Sequence, residues 1–216
     1  MKDTFTFEEK THSYFLDEKP LTGITTILGV ISKPSLIGWA SRMACEYVRD
    51  NLKSLEELEE VLAQAVNAHT KKKEVGAIKG TDFLAWVERW IADRTLAFPI
   101  EEEPKAQAEQ FVKWVVENKV EFLASEKRLY SRTHWIAGTC DFICKIDGRK
   151  YLGDLKSYGK IWDKVPFIQC AGYRLMAEEM GENDFNGGVI VNVPKKGEID
   201  VQYSYDMQQD TEGFLA

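Results

Sequence analysis

A two-residue turn signal, Asp147-Gly148, stands between two segments that alternate like β-strands. Asp and Gly tolerate the positive φ angles of a type I′ turn, so the pair predicts a tight antiparallel hairpin. In such a hairpin Ile146 pairs with Arg149, and the register then places Asp141 directly opposite Asp154. Directly opposite residues share a face of the sheet, with Cβ atoms roughly 5 Å apart. The sequence therefore predicts two carboxylates side by side.

The predicted hairpin surrounds these aspartates with apolar residues, since Ile143 and Leu152 flank them on the same face. Strands that are apolar on both faces are typical of the centre of a covered sheet. Two carboxylates in that setting repel each other, and a divalent cation such as Mg²⁺ or Mn²⁺ relieves the repulsion. Lys156 lies on the same face, where it can stabilise an anionic transition state or help to activate a water. The alternative is a solvated pair at the sheet edge, with Lys156 as a simple ion-pair partner.

Periodicity and start and stop signals predict an alternation of helices and strands along the chain. The predicted helices span residues 34–51, 54–68, 71–97, 104–124 and 166–180, and the strands lie within 5–16, 127–157, 188–193 and 198–205. The second helix opens on a capping box, Ser54-Leu55-Glu56-Glu57, and residues 21–31 fit either type. This order predicts an α/β fold with a mixed sheet flanked by helices. We expect a single domain, mainly helical over 1–120 and with its core over 121–216.

The composition excludes several classes of protein. Of 216 residues, 44% are hydrophobic and 29% charged, which is typical of globular chains and not of disordered or collagen-like ones. No apolar run approaches the ~20 residues of a membrane span, and the first twenty residues lack the apolar core of a signal peptide. Four cysteines in this context predict buried free thiols and a reducing, cytoplasmic location.

The net charge of −7 conceals a basic segment. Residues 127–174 contain ten Lys and Arg against four Asp, a local charge of +6, and the rest of the chain carries −13. Such an asymmetry favours a surface that meets an anion. The alternative is an ordinary solvated basic surface.

Several short motifs resemble those of the PD-(D/E)XK nuclease superfamily, in its RecB-like branch. Asp141 followed by Asp154-Leu155-Lys156 is similar to the D…(D/E)-x-K signature. Gly138-Thr139-Cys140-Asp141 resembles the G-x-x-D strand of that branch. Gln169 and Tyr173 match its Q-x-x-x-Y helix.

The resemblance extends towards the N-terminus. Glu126, expected at the end of the preceding helix, matches the upstream acidic residue of the branch. Leu21–Leu28 followed by Trp39 looks like the N-terminal motif of phage-encoded and mitochondrial-genome-maintenance-type exonucleases. Lys79-Gly80 through Glu88 is similar to their G-x-x-x-H-x-x-x-E helix, but Leu84 stands where the family often has a metal-binding His. This departure implies one metal, a substitute ligand or a weakened activity, and the segment also fits plain core packing.

The resemblance implies a restriction-endonuclease-like fold and metal-dependent hydrolysis of DNA phosphodiesters, with Mg²⁺ or Mn²⁺ as cofactor. It implies Asp141, Asp154 and the Leu155 carbonyl as metal ligands, with Glu126 binding the metal directly or through water. It further implies that Lys156 orients the attacking water and offsets charge on the transition state.

The substrate contacts follow partly from the resemblance and partly from the loop after the second motif strand. The residues expected to contact DNA are Gln169, Tyr173, Ser157, Lys160 and Lys164. Lys160 and Lys164 flank Trp162, and basic residues interleaved with an aromatic suit single-stranded DNA. An ordinary loop with an anchoring Trp is the alternative.

The resemblance implies a DNA exonuclease of phage or prophage origin that acts on single strands or DNA ends in recombination, replication or repair. Two alternatives stay open: an endonuclease with the same chemistry, and a catalytically silent DNA-binding module. The sequence does not determine the oligomeric state.

Overall fold

A mixed eight-stranded β-sheet organises the protein, for which a computed structural model describes residues 3–31, 34–158, 160–161, 163–205 and 207–216, without the side chains of 34–36 and 72–81. The chain divides into two compact units, one formed by Met1–Val30 with Phe83–Ala216 and the other by Ile31–Asp82. The strands are β1 (Phe5–Glu8), β2 (Ser13–Leu16), β3 (Lys19–Gly23), β4 (Glu121–Ser131), β5 (Ile136–Ile146), β6 (Arg149–Lys156), β7 (Phe185–Asn192) and β8 (Asp200–Ser204). The α-helices are α1 (Ile24–Leu28), α2 (Pro34–Asn51), α3 (Leu58–Ala65), α4 (Ala68–Ala92), α5 (Glu102–Glu117), α6 (Val165–Glu179) and α7 (Met207–Leu215), and a 3₁₀ turn spans Leu55–Glu57.

Strand β5 is the hub of this sheet. It pairs with β4 antiparallel from Ile136 to Lys145 along one of its edges. The other edge is shared, because β3 runs parallel to its first residues, Ile136 and Ala137, and β6 runs antiparallel to its last ones, from Phe142 onwards. The stretch 138–141 therefore lies in a notch between β3 and β6, where β5 has no strand partner on that edge among the described residues.

Helices cover both faces of the sheet. The end of α4 and all of α5 pack on one face, and their buried side chains include Phe83, Trp86 and Phe111. On the other face α6 packs against β4, β5, β6 and β7, and α1 and α7 pack against α6. The sequence prediction of an α/β fold with a mixed sheet between helices is confirmed at this level.

The alternation of side chains along β5 is interrupted inside the notch. A Cβ on Gly138 would lie 2.8 Å from Tyr173 Cε1 on α6, so Gly138 faces α6. Phe142, four residues later, packs with the α4–α5 cluster on the opposite face. Residues four apart in a regular strand share a face, so the strand twists out of phase near Asp141. On β4, Glu126 stands opposite this point and adopts a positive φ of 47°.

The unit Ile31–Asp82 is helical. Helices α2 and α3 pack against each other, and Met43, Val61 and Ala65 are buried there. The Trp39 ring meets the His69 ring edge-on, with centroids 6.3 Å apart.

The sequence predictions for the second, third and fourth helices need correction. Ser54 has an extended backbone but makes no side-chain capping bond, because Glu57 N donates to the Ser54 carbonyl oxygen at 3.3 Å in a 3₁₀ turn. The helix predicted over 104–124 ends at Glu117. The Asn118 side-chain amide donates a hydrogen bond to the Trp114 carbonyl oxygen, and the backbone of Lys119 adopts a positive φ, which ends the helix. The 71–97 helix in turn begins at Ala68 and ends at Ala92.

The strands and remaining helices agree better with the sequence. Residues 34–51 form α2 as predicted, and α6 starts one residue before Pro166. The ambiguous run 21–31 proves to contain both types, because β3 ends at Gly23 and α1 begins at Ile24.

Candidate active site

The hairpin around Asp147-Gly148 has the predicted register, from Ile146↔Arg149 to Phe142↔Gly153. The next row would pair Asp141 with Asp154, but the ladder stops there. Asp141 Oδ2 instead accepts a hydrogen bond of 2.7 Å from the backbone N–H of Leu155. The Asp141 carboxylate thus reaches across the notch towards β6, and it meets Leu155 through that amide.

Asp154 and Lys156 form an ion pair in which Asp154 is 1% exposed and the Lys156 side chain is 23% exposed. The Lys156 Nζ lies 2.8 Å from both carboxylate oxygens. Oδ1 accepts a well-aligned hydrogen bond from it, whereas Oδ2 contacts the same ammonium without hydrogen-bond alignment. Oδ2 therefore keeps lone pairs that a bound cation or a further donor could use.

Burial and mutual repulsion dominate the electrostatics of this group. Burial, and then the charge of Asp154, raises the pKa of Asp141 well above its ordinary range. Burial likewise raises the pKa of Asp154, and the nearby Lys156 ammonium opposes that rise. For Lys156, burial alone would lower the pKa, but the two aspartates outweigh it and raise the pKa. Without a bound cation the Asp pair therefore retains a proton near neutral pH, and a cation bound there would take the place of that proton.

Glu126 lies inside β4, and the prediction that it ends a helix is wrong. Its neighbours pair as Ser125↔Phe142 and Lys127↔Cys140, so the register puts Glu126 opposite Asp141. Glu126, Asp141 and Asp154 consequently occupy one row across three neighbouring strands. The helix was predicted too long because Phe122 fits the apolar side of α5, whereas it pairs with Cys144 in the sheet.

A further carboxylate, Glu88 near the end of α4, stands close to this row. Burial, and then the charge of Glu88, raises the pKa of Glu126 to about 7, against the opposing effect of Arg128. Glu126 in turn contributes to the raised pKa of Asp141. Glu88 is the last residue of the motif that begins at Lys79-Gly80, but the sequence analysis did not predict that it lies near the site. Its position in that motif is the sequence signal that could have identified it.

Gln169 and Tyr173 share one face of α6, as their spacing predicts, and Gln169 Nε2 donates to the Tyr173 hydroxyl at 2.7 Å. Tyr173 is 1% exposed. Burial raises its pKa. The phenol therefore stays protonated. Gln169 is partly exposed and is the residue of this pair that solvent reaches.

The three basic and hydroxyl residues predicted to bind substrate follow β6. Ser157 is partly exposed, and Lys160 and Lys164 are exposed. Lys164 precedes α6, and its carbonyl oxygen accepts the first amides of that helix, from Phe167 and Ile168. No hydrogen bond in the described part of the chain joins Ser157 or Lys164 to the carboxylates, and Trp162 lies outside the described residues.

Leu84 packs against the α4–α5 core, consistent with an apolar role for that helix position. Residues 79 and 80 of the same motif lie in α4, where side chains are not described. Across the described residues, no group of three or more His, Cys, Asp or Glu is gathered closely enough to hold a metal ion. What the site offers a metal is the Asp141–Asp154 pair, whose hard oxygen donors suit Mg²⁺ or Mn²⁺.

The cysteines carry no disulfide in the structure, and Cys140, Cys144 and Cys170 are buried as predicted, whereas Cys45 is exposed. Burial raises the pKa of the Cys140 and Cys170 thiols, which keeps them protonated. None of the helices in the described part of the chain is long and apolar enough to cross a membrane.

No family model and no curated protein matches this chain.

Proposed function

We propose that the protein is a Mg²⁺- or Mn²⁺-dependent deoxyribonuclease of the PD-(D/E)XK superfamily, in its RecB-like branch. The observation that carries the proposal is the ion pair between the buried Asp154 and the partly exposed Lys156, beside a second carboxylate, Asp141. The Asp141 carboxylate is held next to the pair by the Leu155 amide. A lysine that only neutralised a surface carboxylate would need neither a buried partner nor a second aspartate.

Asp141 and Asp154 would hold the metal, with the Leu155 carbonyl and Glu126 as further oxygen ligands. When bound, the metal lowers the pKa of a water and polarises the phosphate. The Asp pair supports this role because a bound cation would relieve the repulsion between its two carboxylates, and Glu126 lies opposite Asp141 on β4.

Lys156 would supply the positive charge nearest the reacting phosphate. Its ammonium stays protonated, because the two aspartates raise its pKa. A protonated lysine can donate to the attacking water and to a phosphate oxygen, and it stabilises the extra negative charge of the transition state. Gln169, held by the buried Tyr173 hydroxyl, would orient a substrate phosphate or a bound water.

The substrate is DNA, and we favour an exonuclease that acts on single strands or on DNA ends in recombination, replication or repair, with a phage or prophage origin. The buried free thiols agree with a cytoplasmic protein. An endonuclease with the same chemistry is the second candidate. A silent DNA-binding module is the third, favoured by the apolar Leu84 in the core.

One cleavage assay separates these candidates. The wild type, Lys156→Ala and the control Lys145→Ala are incubated with end-labelled linear DNA and with circular DNA, each single- and double-stranded, in Mg²⁺, Mn²⁺ or EDTA. An exonuclease degrades linear DNA only, requires metal and is lost in Lys156→Ala but kept in Lys145→Ala. Nicked circles indicate the endonuclease, and intact DNA that is still bound indicates the silent module.

A further inference from the structure

The first hairpin of the sheet presents aromatic rings beside the candidate active site. Phe7 on β1 contacts Tyr14 on β2, with ring centroids 4.8 Å apart, and His12 meets Phe7 edge-on at 5.0 Å. Tyr14 is 4% exposed, whereas Phe7 is half-buried and His12 is exposed at the turn. Tyr14 thus anchors the group, and Phe7 and His12 form its outer surface.

An arginine completes this group. The Arg128 guanidinium lies 4.4 Å from the centroid of the Phe7 ring. Its nearest carboxylate is Glu9 at 3.7 Å, which is 85% exposed and forms a surface ion pair of small strength. A guanidinium stacked on a ring keeps N–H groups at its edge that can bind a phosphate in place of Glu9. We call Phe7, His12, Tyr14 and Arg128 the aromatic–arginine patch.

The aromatic–arginine patch is tied directly to the carboxylate row. Arg128 on β4 pairs with Thr139 on β5, and the Thr139 and Tyr14 hydroxyl oxygens are 2.8 Å apart. Arg128 and Thr139 lie two residues from Glu126 and Asp141, respectively, about 7 Å along a strand. A single nucleotide can bridge that distance. The charge of Arg128 also acts on Glu126, where it opposes the rise in pKa.

Rings and a stacked cation in this arrangement recognise unpaired bases. Every base has a face that stacks on an aromatic ring, and arginine adds a cation–π contact and a phosphate partner. The bases of a duplex are stacked on each other and do not offer a free face. A surface of this kind favours single-stranded over double-stranded DNA.

We propose that the aromatic–arginine patch binds the unpaired nucleotide next to the scissile phosphate, with its base on Phe7 and His12 and its phosphate on Arg128. This inference rests on the proposed nuclease function. It adds a preference for single-stranded DNA and the residues that set it.

The test measures binding without cleavage. Fluorescence anisotropy in EDTA follows a labelled single-stranded oligonucleotide and its duplex with the wild type, Phe7→Leu, His12→Ala and Arg128→Gln. Arg149→Gln, at the exposed start of β6, is the matched control. We expect each patch variant to weaken single-strand binding by about 5- to 150-fold and duplex binding much less. Arg128→Gln should also reduce the salt slope of binding by about one.

The outcomes separate this inference from the proposed function. If the wild type cleaves DNA in a Lys156-dependent manner but the patch variants bind single strands as tightly as the wild type, the patch inference is wrong and the nuclease stands. An equal loss of single-strand and duplex binding also overturns it. If the wild type neither binds nor cleaves DNA, the proposed function itself fails. Thermal unfolding of each variant identifies any that lose the hairpin, and His12→Ala, at the exposed turn, is the variant least able to disturb the fold.

Discussion

Substitution of Glu126 by Gln should stabilise the metal-free protein at high pH and not at low pH. Burial and the charge of Glu88 raise the pKa of Glu126 from 4.5 to about 7. A carboxyl group with a raised folded-state pKa contributes stability below its unfolded pKa and loses it as the pH rises through the folded value. The wild type in EDTA should therefore lose stability between pH 4.5 and about pH 7, and Glu126→Gln should lack this part of the loss.

The size of the effect follows from the same pKa. The whole difference between 4.5 and about 7 corresponds to about 3 kcal/mol at full strength. Glu126 keeps contact with solvent, and screening reduces the contribution of exposed charges severalfold, so we expect about 1 kcal/mol. For a chain of this length, that corresponds to a difference in Tm of about 2–4 °C.

The assay is thermal unfolding in EDTA at pH 5 and pH 8, with Glu121→Gln, on the same strand and exposed, as the control. The Tm difference between Glu126→Gln and the wild type should grow by a few degrees from pH 5 to pH 8, and that of Glu121→Gln should not. A Tm difference between Glu126→Gln and the wild type that stays constant with pH, or that becomes smaller as the pH rises, would refute the argument. Ionisation of Glu126 would then not be opposed by its burial and by the charge of Glu88.

Three further predictions concern packing and reactivity around the site. Gly138→Ala would place a Cβ 2.7 Å from Ile24 and 2.8 Å from Tyr173. It should therefore lower the free energy of unfolding, measured in urea, by about 1–3 kcal/mol. The control Gly38→Ala, with open space around it, should not lower this free energy. Tyr173→Phe removes the hydroxyl that accepts from Gln169, which should cost about 1 kcal/mol and reduce the cleavage rate, and an unchanged rate would contradict a role for this pair. In the native state a thiol reagent should modify Cys45 quickly and the three buried cysteines only after unfolding; rapid modification of all four would mean that the core opens readily.

The local sequence was sufficient to predict the hairpin and the aspartate pair. The Asp147-Gly148 turn determines the register by itself, and the structure follows it pair by pair to Phe142↔Gly153. The spacing of Gln169 and Tyr173 on one helix face likewise needed only local information. Both features depend on residues that are close together in the sequence.

The remaining parts of the site depend on contacts between distant segments. Glu126 was assigned to a helix because Phe122 suits an apolar helix face, and only its pairing with β5 reveals the strand. The approach of Glu88 to Glu126 depends on how the end of α4 packs on the sheet. The notch arises because β3 and β6 share one edge of β5, and no local pattern encodes that arrangement.

The buried Asp154 carboxylate connects fold and proposed chemistry. The sequence predicted two aspartates and a lysine on one face, but it could not show that the Lys156 ammonium hydrogen-bonds Oδ1 and contacts Oδ2 without hydrogen-bond alignment. Nor could the sequence show that Asp141 is held by the backbone amide of Leu155 and not by strand pairing with Asp154. These details make the pair a candidate cation site and not a simple ion pair.

The most direct test of that claim is the thermal stability of the wild type and Asp141→Asn in saturating Mn²⁺ and in EDTA. A ligand at 100 times its dissociation constant adds about 2.7 kcal/mol, so the wild type should gain about 5–11 °C in Tm. Asp141→Asn should gain little or nothing. An equal gain in both proteins, or no gain in a wild type that still cleaves DNA, would contradict a metal held by the Asp141–Asp154 pair.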